Sequence, residues 1–310
     1  ASSMRKISAS NKYNALGKDK YLFIYRRFTK DGEFGLGISN NTLAYAYSDS
    51  PLGPWTYGGT IIDGRARGLD EHGNVIATGY NGGNTHGSIC EINGRWWVFY
   101  HRHSGTDEYS RQAMVAPIDV KVTKDGRVLI SEGEVTSEGF RTEGLNPQER
   151  TAAGWACHFT GPRPMTANYP NFFPSGSYPL ATHNEDNLLK SSFSHNTPHS
   201  YIVNNTDGSI LGYKYFNTTA LAKKGSATID LHLKPLGVKG EIIFMLDSPY
   251  ASKGGVEAGR LALTGSEKQD AQHLTAQLSD FKKGKHALYM LFRSSTKDQS
   301  LCDLYDFIFK

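Results

Sequence analysis

Apolar and polar residues alternate in short runs along most of the chain, a pattern that indicates β-strands. The clearest runs are aromatic and β-branched: residues 20–26 read Lys-Tyr-Leu-Phe-Ile-Tyr-Arg, and residues 95–101 read Arg-Trp-Trp-Val-Phe-Tyr-His. Gly, Asn, Asp and Pro separate the runs, as they do at tight turns. Helical periodicity is scarce. The pattern therefore predicts an all-β protein.

The first 140 residues contain a diverged repeat of four short strands. One unit is predicted at 4–7, 20–26, 42–48 and 55–57, and the other at 88–92, 95–101, 111–117 and 127–130. Four antiparallel strands repeated with drift are typical of propeller blades, although a meandering sandwich has similar spacing. A propeller ring usually closes with about four to eight blades. Two blades leave their flanks open, so we expect the chain to begin part-way through a propeller.

The remaining residues predict a connector and a second β-unit. Residues 141–185 are rich in Pro and Gly, and their aromatic residues predict a connector that packs over the propeller. Strand patterns resume in 186–310, which predicts a β-sandwich of the jelly-roll type. These strands are predicted at 200–203, 210–216, 227–233, 240–246, 259–263, 273–278, 286–292 and 304–309. The predicted domains are thus 1–140, 141–185 and 186–310.

Composition narrows the function mainly by exclusion. The net charge is +4 with no block of like charges, so nothing in the composition favours nucleic acid or an anionic membrane as a partner. No apolar run approaches the roughly 20 residues that span a bilayer. The three cysteines, Cys90, Cys157 and Cys302, are odd in number and far apart, so they form neither a complete disulfide set nor a zinc motif.

Three segments of the first 140 residues carry a family resemblance. They are Ala-Ser-Ser-Met-Arg-Lys-Ile at 1–7, Leu-Ala-Tyr-Ala-Tyr-Ser-Asp-Ser-Pro-Leu-Gly-Pro-Trp at 43–55, and Asn-Thr-His-Gly-Ser-Ile-Cys-Glu-Ile-Asn-Gly-Arg-Trp-Trp-Val-Phe-Tyr-His-Arg-His at 84–103. Residues 1–150 resemble glycoside hydrolase family 43. Asp-Gly-Ser-Ile-Leu-Gly-Tyr-Lys-Tyr-Phe at 207–216 resembles, more loosely, a family 6-type carbohydrate-binding module.

The resemblance implies a partial five-bladed β-propeller followed by the sandwich, with an active site at the propeller axis. It implies an inverting, exo-acting hydrolase of plant polysaccharide side chains. The expected substrate is an α-L-arabinofuranoside or, next, a β-D-xyloside in a polysaccharide or oligosaccharide. Such a protein is expected to be secreted, periplasmic or at the cell surface.

The catalytic carboxylates of that family are not expected in this chain. Inversion needs an acid and a base roughly 6.5–9.5 Å apart. The resemblance places the acid Glu directly before Ala1, and the base and a third, tuning carboxylate in earlier blades. Enzyme activity is therefore expected of a full-length parent and not of this chain. The nearby acidic residues are instead predicted to be solvated in turns and loops: Asp49, Asp70, Glu71, Asp107 and Glu108.

Other site residues carry over from the resemblance. His86 is expected near the axis, where it holds a hydrated metal ion, usually calcium, or an ordered water. Calcium prefers oxygen ligands, so contact through water is as plausible as direct coordination. Arg111 is expected beside the substrate pocket, and the alternative interpretation is a salt bridge at the surface or between blades. The pocket-lining candidates are Asn84, Thr85, Ser39 and Asn40.

Several further residues have competing interpretations. His101 and His103 share one face of a strand, where a hydrogen-bonding or structural role is favoured over metal binding. Aromatic faces in the second unit would stack on sugars if it binds carbohydrate. The candidate platforms are Tyr201, Tyr213, Tyr215 and Tyr250, of which Tyr213 and Tyr215 could equally be core. The rival functions are a non-catalytic carbohydrate-binding protein and a structural module on a cell surface.

Overall fold

The computed structural model describes residues 2–80, 84–103, 111–162, 179–183 and 200–310. Strands dominate these ranges, and the one α-helix in them, α1 (Thr219–Lys224), is short. The predicted all-β class is confirmed. None of the described helices is long and apolar enough to cross a membrane. The acidic residues at 107 and 108 and the connector prolines at 164, 170 and 174 lie outside the described residues.

The first predicted blade is a four-stranded antiparallel meander in which each strand pairs with the next along the chain. Its strands are β1 (Ser2–Ile7), β2 (Lys20–Arg27), β3 (Thr42–Ser48) and β4 (Thr56–Asp63). Met4 lies opposite Phe23, Phe23 opposite Ala46, and Ala46 opposite Tyr57. Directly paired residues share a face of a sheet, so this row forms one flank of the blade.

The second predicted blade is divided into two sheets. A three-stranded meander contains β7 (Gly87–Ile92), β8 (Arg95–His103) and β9 (Arg111–Ile118). The fourth predicted strand forms a separate hairpin of β10 (Val120–Val122) and β11 (Val128–Ile130). Pro117 deprives β9 of one backbone donor near its end. The Tyr45 hydroxyl instead connects the hairpin to the first blade, donating to Val128 O and accepting from Ile130 N.

A small hairpin that the sequence pattern did not predict lies between the two meanders. It consists of β5 (Arg67–Leu69) and β6 (Val75–Ala77). The first strands of the two meanders, β1 and β7, lie side by side: the Ser3 and Ser88 hydroxyls are 2.8 Å apart, and Arg5 Nε donates to Ile89 O at 2.8 Å. The core between the meanders includes Leu22, Ile24, Ile62, Ile89, Val98 and Tyr100.

The second unit is a sandwich of two antiparallel sheets. The strands are β12 (Thr151–Ala152), β13 (His158–Thr160), β14 (Leu180–His183), β15 (Ser200–Val203), β16 (Ile210–Asn217), β17 (Ser226–Pro235), β18 (Gly240–Leu246), β19 (Val256–Leu263), β20 (Gln272–Ser279), β21 (Lys285–Ser294) and β22 (Cys302–Phe309). One sheet has the order β14-β15-β22-β17-β20, with β12 also paired to β22, and the other has the order β13-β16-β21-β18-β19. Their inner faces enclose buried aromatic residues, among them Phe159, Phe216, Phe244, Phe292 and Phe307.

The predicted connector contributes three of these strands, because β12, β13 and β14 all pair with sandwich strands. The same segment contacts the first unit. Phe159 N donates to Thr78 O at 2.6 Å, and the Tyr80 ring lies 4.9 Å from the Phe159 ring. Buried Arg102 donates to Gly154 O at 3.2 Å and to Ala156 O. The domain boundaries near 140 and 185 stay predictions.

Candidate functional site

Three imidazoles gather where β8 ends beside the start of β7. The β7–β8 pairing brings residue 86 next to the end of β8, and the His86 backbone N–H donates to His101 Nε2 at 3.0 Å. The His86 and His101 rings lie 5.1 Å apart, edge to face, and the His101 and His103 rings lie 5.8 Å apart. The favoured hydrogen-bonding role of His101 is thus visible in its contact with His86. We call these three residues the histidine cluster.

Asn84 and Thr85 hold the segment that leads into this cluster. The Thr85 hydroxyl donates to His101 O at 3.0 Å and is buried. His103 Nε2 lies 3.3 Å from Asn84 N and 3.1 Å from Asn84 O. The Asn84 side-chain oxygen is buried and has no hydrogen-bond partner among the described residues. Asn84 therefore retains an acceptor that a bound group could use.

Ser39 and Asn40 lie in the turn that precedes β3, and both are buried. Ser39 O accepts from Thr29 N at 2.7 Å, and Ser39 Oγ accepts from Asn41 N at 3.0 Å. The next residue, Asn41, donates from Nδ2 to Tyr80 O at 3.0 Å. This turn therefore supports the chain shortly before Asn84. The side-chain oxygens of Asn40 and Asn41, like that of Asn84, are buried without a hydrogen-bond partner among the described residues.

Arg111 begins β9 directly opposite His103. Burial, then the charge of Arg111 and the neighbouring histidines, lowers the pKa of His101 to about 4. Burial also lowers the pKa of His86, and Arg111 and Arg26 add to that effect. At neutral pH the site therefore combines the uncharged imidazoles of His86 and His101 with guanidinium groups. That set suits hydroxyl groups or a carboxylate.

Among the described residues, no carboxylate shifts the pKa of His86 or His101. Asp49 pairs with Lys20 at 2.5 Å, and Asp70 accepts from His72 N and Asn74 N in its own turn. Glu71 is exposed. Through the described ranges, no three His, Cys, Asp or Glu residues come together as a metal site. The nitrogen groups around His86 do not fit a directly coordinated calcium ion, which needs oxygen ligands.

The candidate sugar platforms of the second unit differ in their surroundings. Tyr213 is fully buried, and its hydroxyl donates to Ala153 O, so it is a core residue. The Tyr215 hydroxyl is held by Glu134 Oε1 at 2.8 Å, and Tyr250 packs on the sandwich. Tyr201 is half-buried, and its ring lies 5.2 Å from that of Tyr305, a residue that the sequence pattern did not single out.

The chain has two all-β units: the two meanders with the histidine cluster, and the sandwich. Its sequence relatives have glycosidase names. It is 28% identical over 289 residues to a xylosidase/arabinosidase from Thermoclostridium stercorarium. The aligned region covers 92% of this chain and 54% of the relative. It is 32% identical over 124 residues to xylosidase/arabinosidase 43A from Humicola insolens. That aligned region covers 40% of this chain and 29% of the relative. The predicted resemblance to such enzymes is confirmed. The chain spans about half the length of the first relative and less than a third of the length of the second. No family model matches the chain.

Solved structures of both predicted kinds align with the chain. A family 43 arabinoxylan arabinofuranohydrolase from Bacillus subtilis, in complex with cellotetraose, is 17% identical with a TM-score of 0.46, covering 94% of this chain and 52% of that one. A family 6 carbohydrate-binding module from Clostridium cellulolyticum, in complex with xylose, is 15% identical with a TM-score of 0.35. The alignment covers 54% of this chain and 99% of that one.

Proposed function

We propose that this chain is part of a glycoside hydrolase that removes terminal pentose units from plant polysaccharides by inversion. The proposed substrate is an α-L-arabinofuranoside first and a β-D-xyloside second. The observation that carries the proposal is the similarity to a xylosidase/arabinosidase, which extends over 289 residues and so through both units. Related sequence in both units favours a shared two-unit arrangement over a similarity confined to one fold.

The exposed flanks of the meanders support the presence of further blades in the active protein. On the first meander, Tyr57 is 55% exposed and lies in the same cross-strand row as Met4 and Phe23. Beside the second meander, Phe140 is 57% exposed and lies 5.9 Å from the Phe99 ring. Aromatic sheet faces ordinarily pack against a neighbour. We infer that additional blades cover both flanks and close the ring.

The base and the tuning carboxylate would then come from those blades and the general acid from directly before Ala1, and the histidine cluster with Arg111 would complete the site. Arg111 would pair with the general acid or with sugar hydroxyls, while Asn84 offers its buried side-chain oxygen. His86 would hold a water, or a hydrated calcium ion through water. An adjacent guanidinium would lower the pKa of the general acid, so the tuning carboxylate would have to offset this effect and keep the acid protonated until it donates.

In the second unit, Tyr201 and Tyr305 form the proposed sugar platform. Their rings lie 5.2 Å apart on strands β15 and β22, and both are half-buried. Paired aromatic faces of this kind suit the apolar face of a pyranose ring. A module that holds the polysaccharide close to the active site is consistent with a protein that works outside the cytoplasm, either secreted, periplasmic or on the cell surface.

Substitution of Arg111 in the longer parent tests the proposed site. We expect Arg111→Met to lower kcat/KM on aryl arabinofuranosides about 100-fold, the usual loss for one donor to the reacting groups, and Arg111→Lys to recover part of it. Arg95→Met is the matched control, because Arg95 lies exposed at the opposite end of the β8–β9 pair and stacks over Trp97. Unchanged activity in Arg111→Met would remove the residue from the site.

The rival proposal is a non-catalytic carbohydrate-binding protein, favoured because no carboxylate of the described residues influences the pKa of His86 or His101. Calorimetry with xylo-oligosaccharides and arabino-oligosaccharides separates the two. Binding that depends on Tyr201, in a parent that hydrolyses no pentoside, would support the rival. Binding together with turnover by the parent would support the hydrolase.

A further inference from the structure

A pocket of about 550 Å³ lies at the end of β8 that is opposite the histidine cluster. It is formed by the loop after β1, the turn between β7 and β8, and the segment from β9 to β10. This volume is typical of sites that bind small ligands. The lining includes Lys12, Tyr13, Gly94, Trp96, Asp119 and Lys121. We propose that the pocket binds a neutral sugar unit of the polysaccharide at a second, non-catalytic site, an inference that rests on the proposed function.

The pocket is separate from the proposed active site. Trp96 and His103 lie near the two ends of β8, which at 3.3 Å per residue puts them about 23 Å apart. Neither Tyr57 nor Phe140, the residues of the exposed flanks, lines the pocket. Blades that cover those flanks therefore need not close it.

Aromatic residues give the pocket an apolar surface. Trp96 is 5% exposed and belongs to the core between the meanders, and Tyr13 packs against the same core. Sugar rings have apolar faces that aromatic side chains in a pocket cover. The buried indole N–H of Trp96 has no hydrogen-bond acceptor among the described residues, although such donors are normally paired. A sugar hydroxyl would supply the acceptor.

The charged residues of the lining offer both donors and an acceptor. Within the described ranges, Lys12, Lys121 and Asp119 form no ion pair. The Lys12 amine lies 4.8 Å from the centroid of the Tyr13 ring, and a Cβ atom on Gly94 would lie 2.7 Å from it, so the amine rests over the turn. Hydroxyl groups both donate and accept. This mixture therefore suits a polyhydroxy ligand better than an anion, which Asp119 would repel.

Hydrogen bonds hold the walls of the pocket in place. The Tyr13 hydroxyl donates to Gly94 O, and Tyr13 O accepts from Val122 N at 2.8 Å. Asn11 Nδ2 donates to Glu91 Oε2 at 2.8 Å and fastens the same loop to β7. Because three segments are already joined, a ligand has little conformational freedom to remove when it binds.

Calorimetry of this chain with xylotriose tests the pocket without any need for turnover. Tyr201→Ala removes the proposed platform of the sandwich, so the binding that remains in this variant reports on the pocket. In that background we expect Asp119→Ala to weaken binding at least about 10-fold, the usual loss for a hydrogen bond to a charged group. Trp96→Phe keeps an aromatic ring but removes the indole N–H, and should weaken binding about 2-fold to 10-fold.

Trp97→Phe is the matched control and should leave binding unchanged. Trp97 is the next indole on β8, but its side chain is on the other face of the strand, where its ring lies 5.1 Å from that of Phe140. Arg95 also borders the pocket, yet its guanidinium stacks over Trp97 and is not counted among the ligand-binding groups.

The proposal is overturned if the Tyr201→Ala variant binds no xylotriose, or if Asp119→Ala and Trp96→Phe bind it as well as Trp97→Phe does. Thermal melts establish that each variant is folded. Failure of the proposed function has a different outcome: the pocket would bind xylotriose as expected, while the longer parent would hydrolyse no pentoside.

Discussion

The two units of the chain bury their sheets differently. In the sandwich, the inner faces of two sheets pack against each other, and Phe244, Phe292 and Phe307 are completely enclosed. In the blade pair, each meander buries one face against the other, while aromatic residues on the opposite flanks remain partly exposed, as at Tyr57 and Phe140. The sandwich is thus complete as a core. The two meanders leave one face each partly uncovered, which is the packing expected of repeat units with neighbours on both sides.

The largest effect is expected in the sandwich core. Phe244→Ala should lower the free energy of unfolding by about 3–5 kcal/mol, because it leaves a cavity in a closed core. Denaturant unfolding, with the slope checked for a single transition, measures the change. A loss below about 1 kcal/mol would contradict the description of the sandwich as a tightly packed core.

The contact between the units should have the next largest effect. Buried Arg102 donates to two backbone carbonyls, Gly154 O and Ala156 O, and lies 4.9 Å from the Phe159 ring. Arg102→Met should cost about 3 kcal/mol, since buried acceptors lose their donors. Exposed Arg95→Met serves as the control on the same strand and should cost less than about 0.5 kcal/mol. Equal losses in the free energy of unfolding for the two variants would argue against a stable contact between the units.

Acid should destabilise the sandwich through His158. Burial, reinforced by the charge of Lys214, lowers the pKa of His158 to about 3 from an ordinary value near 6.5. The unfolded chain takes up this proton first as the pH falls, so stability is lost progressively from about pH 6.5 down to about pH 3. Between pH 7 and pH 4.5 the loss should be about 2–3 kcal/mol.

Unfolding of His158→Gln at both pH values isolates this contribution from other titrating groups. The variant should lose about 2 kcal/mol less than the original chain over the same interval. An identical loss in both proteins would show that His158 does not carry the effect.

The smallest effect is expected on the blade flank. Tyr57→Ser should change stability by less than about 0.5 kcal/mol in this chain, because the side chain has little packing to lose. In the longer parent that we propose, another blade would cover this flank, and the same change should cost about 2 kcal/mol or more. Equal small costs in both chains would mean that nothing packs on this face.

Sequence patterns predicted the long strands well, because alternation over six or more residues leaves few alternatives. They missed β12, β13 and the hairpin of β5 and β6, whose strands of two or three residues are too short for a period to show. Tyr305 was missed for another reason. The β17–β22 register shifts at His232 and Leu233, so Asp306 and Phe307 are both buried and simple alternation misassigns the faces of β22.

The candidate site was predictable in residue type but not in arrangement. Spacing along β8 placed His101 and His103 on one face, whereas the contact from His86 to His101 depends on how β7 pairs with β8. The resemblance supplied Arg111 and His86, and their roles stay predictions. The pocket beside Trp96 depends on contact between Tyr13 and Gly94, which are 81 positions apart, and no local pattern reveals it.

Hydrolysis of 4-nitrophenyl α-L-arabinofuranoside by this chain and by the longer parent, at equal concentration, tests most directly where the catalytic carboxylates lie. Our account predicts turnover by the parent and none above background by the 310-residue chain. Equal turnover by the two proteins would contradict it, because the acid and base would then have to lie within the chain described here.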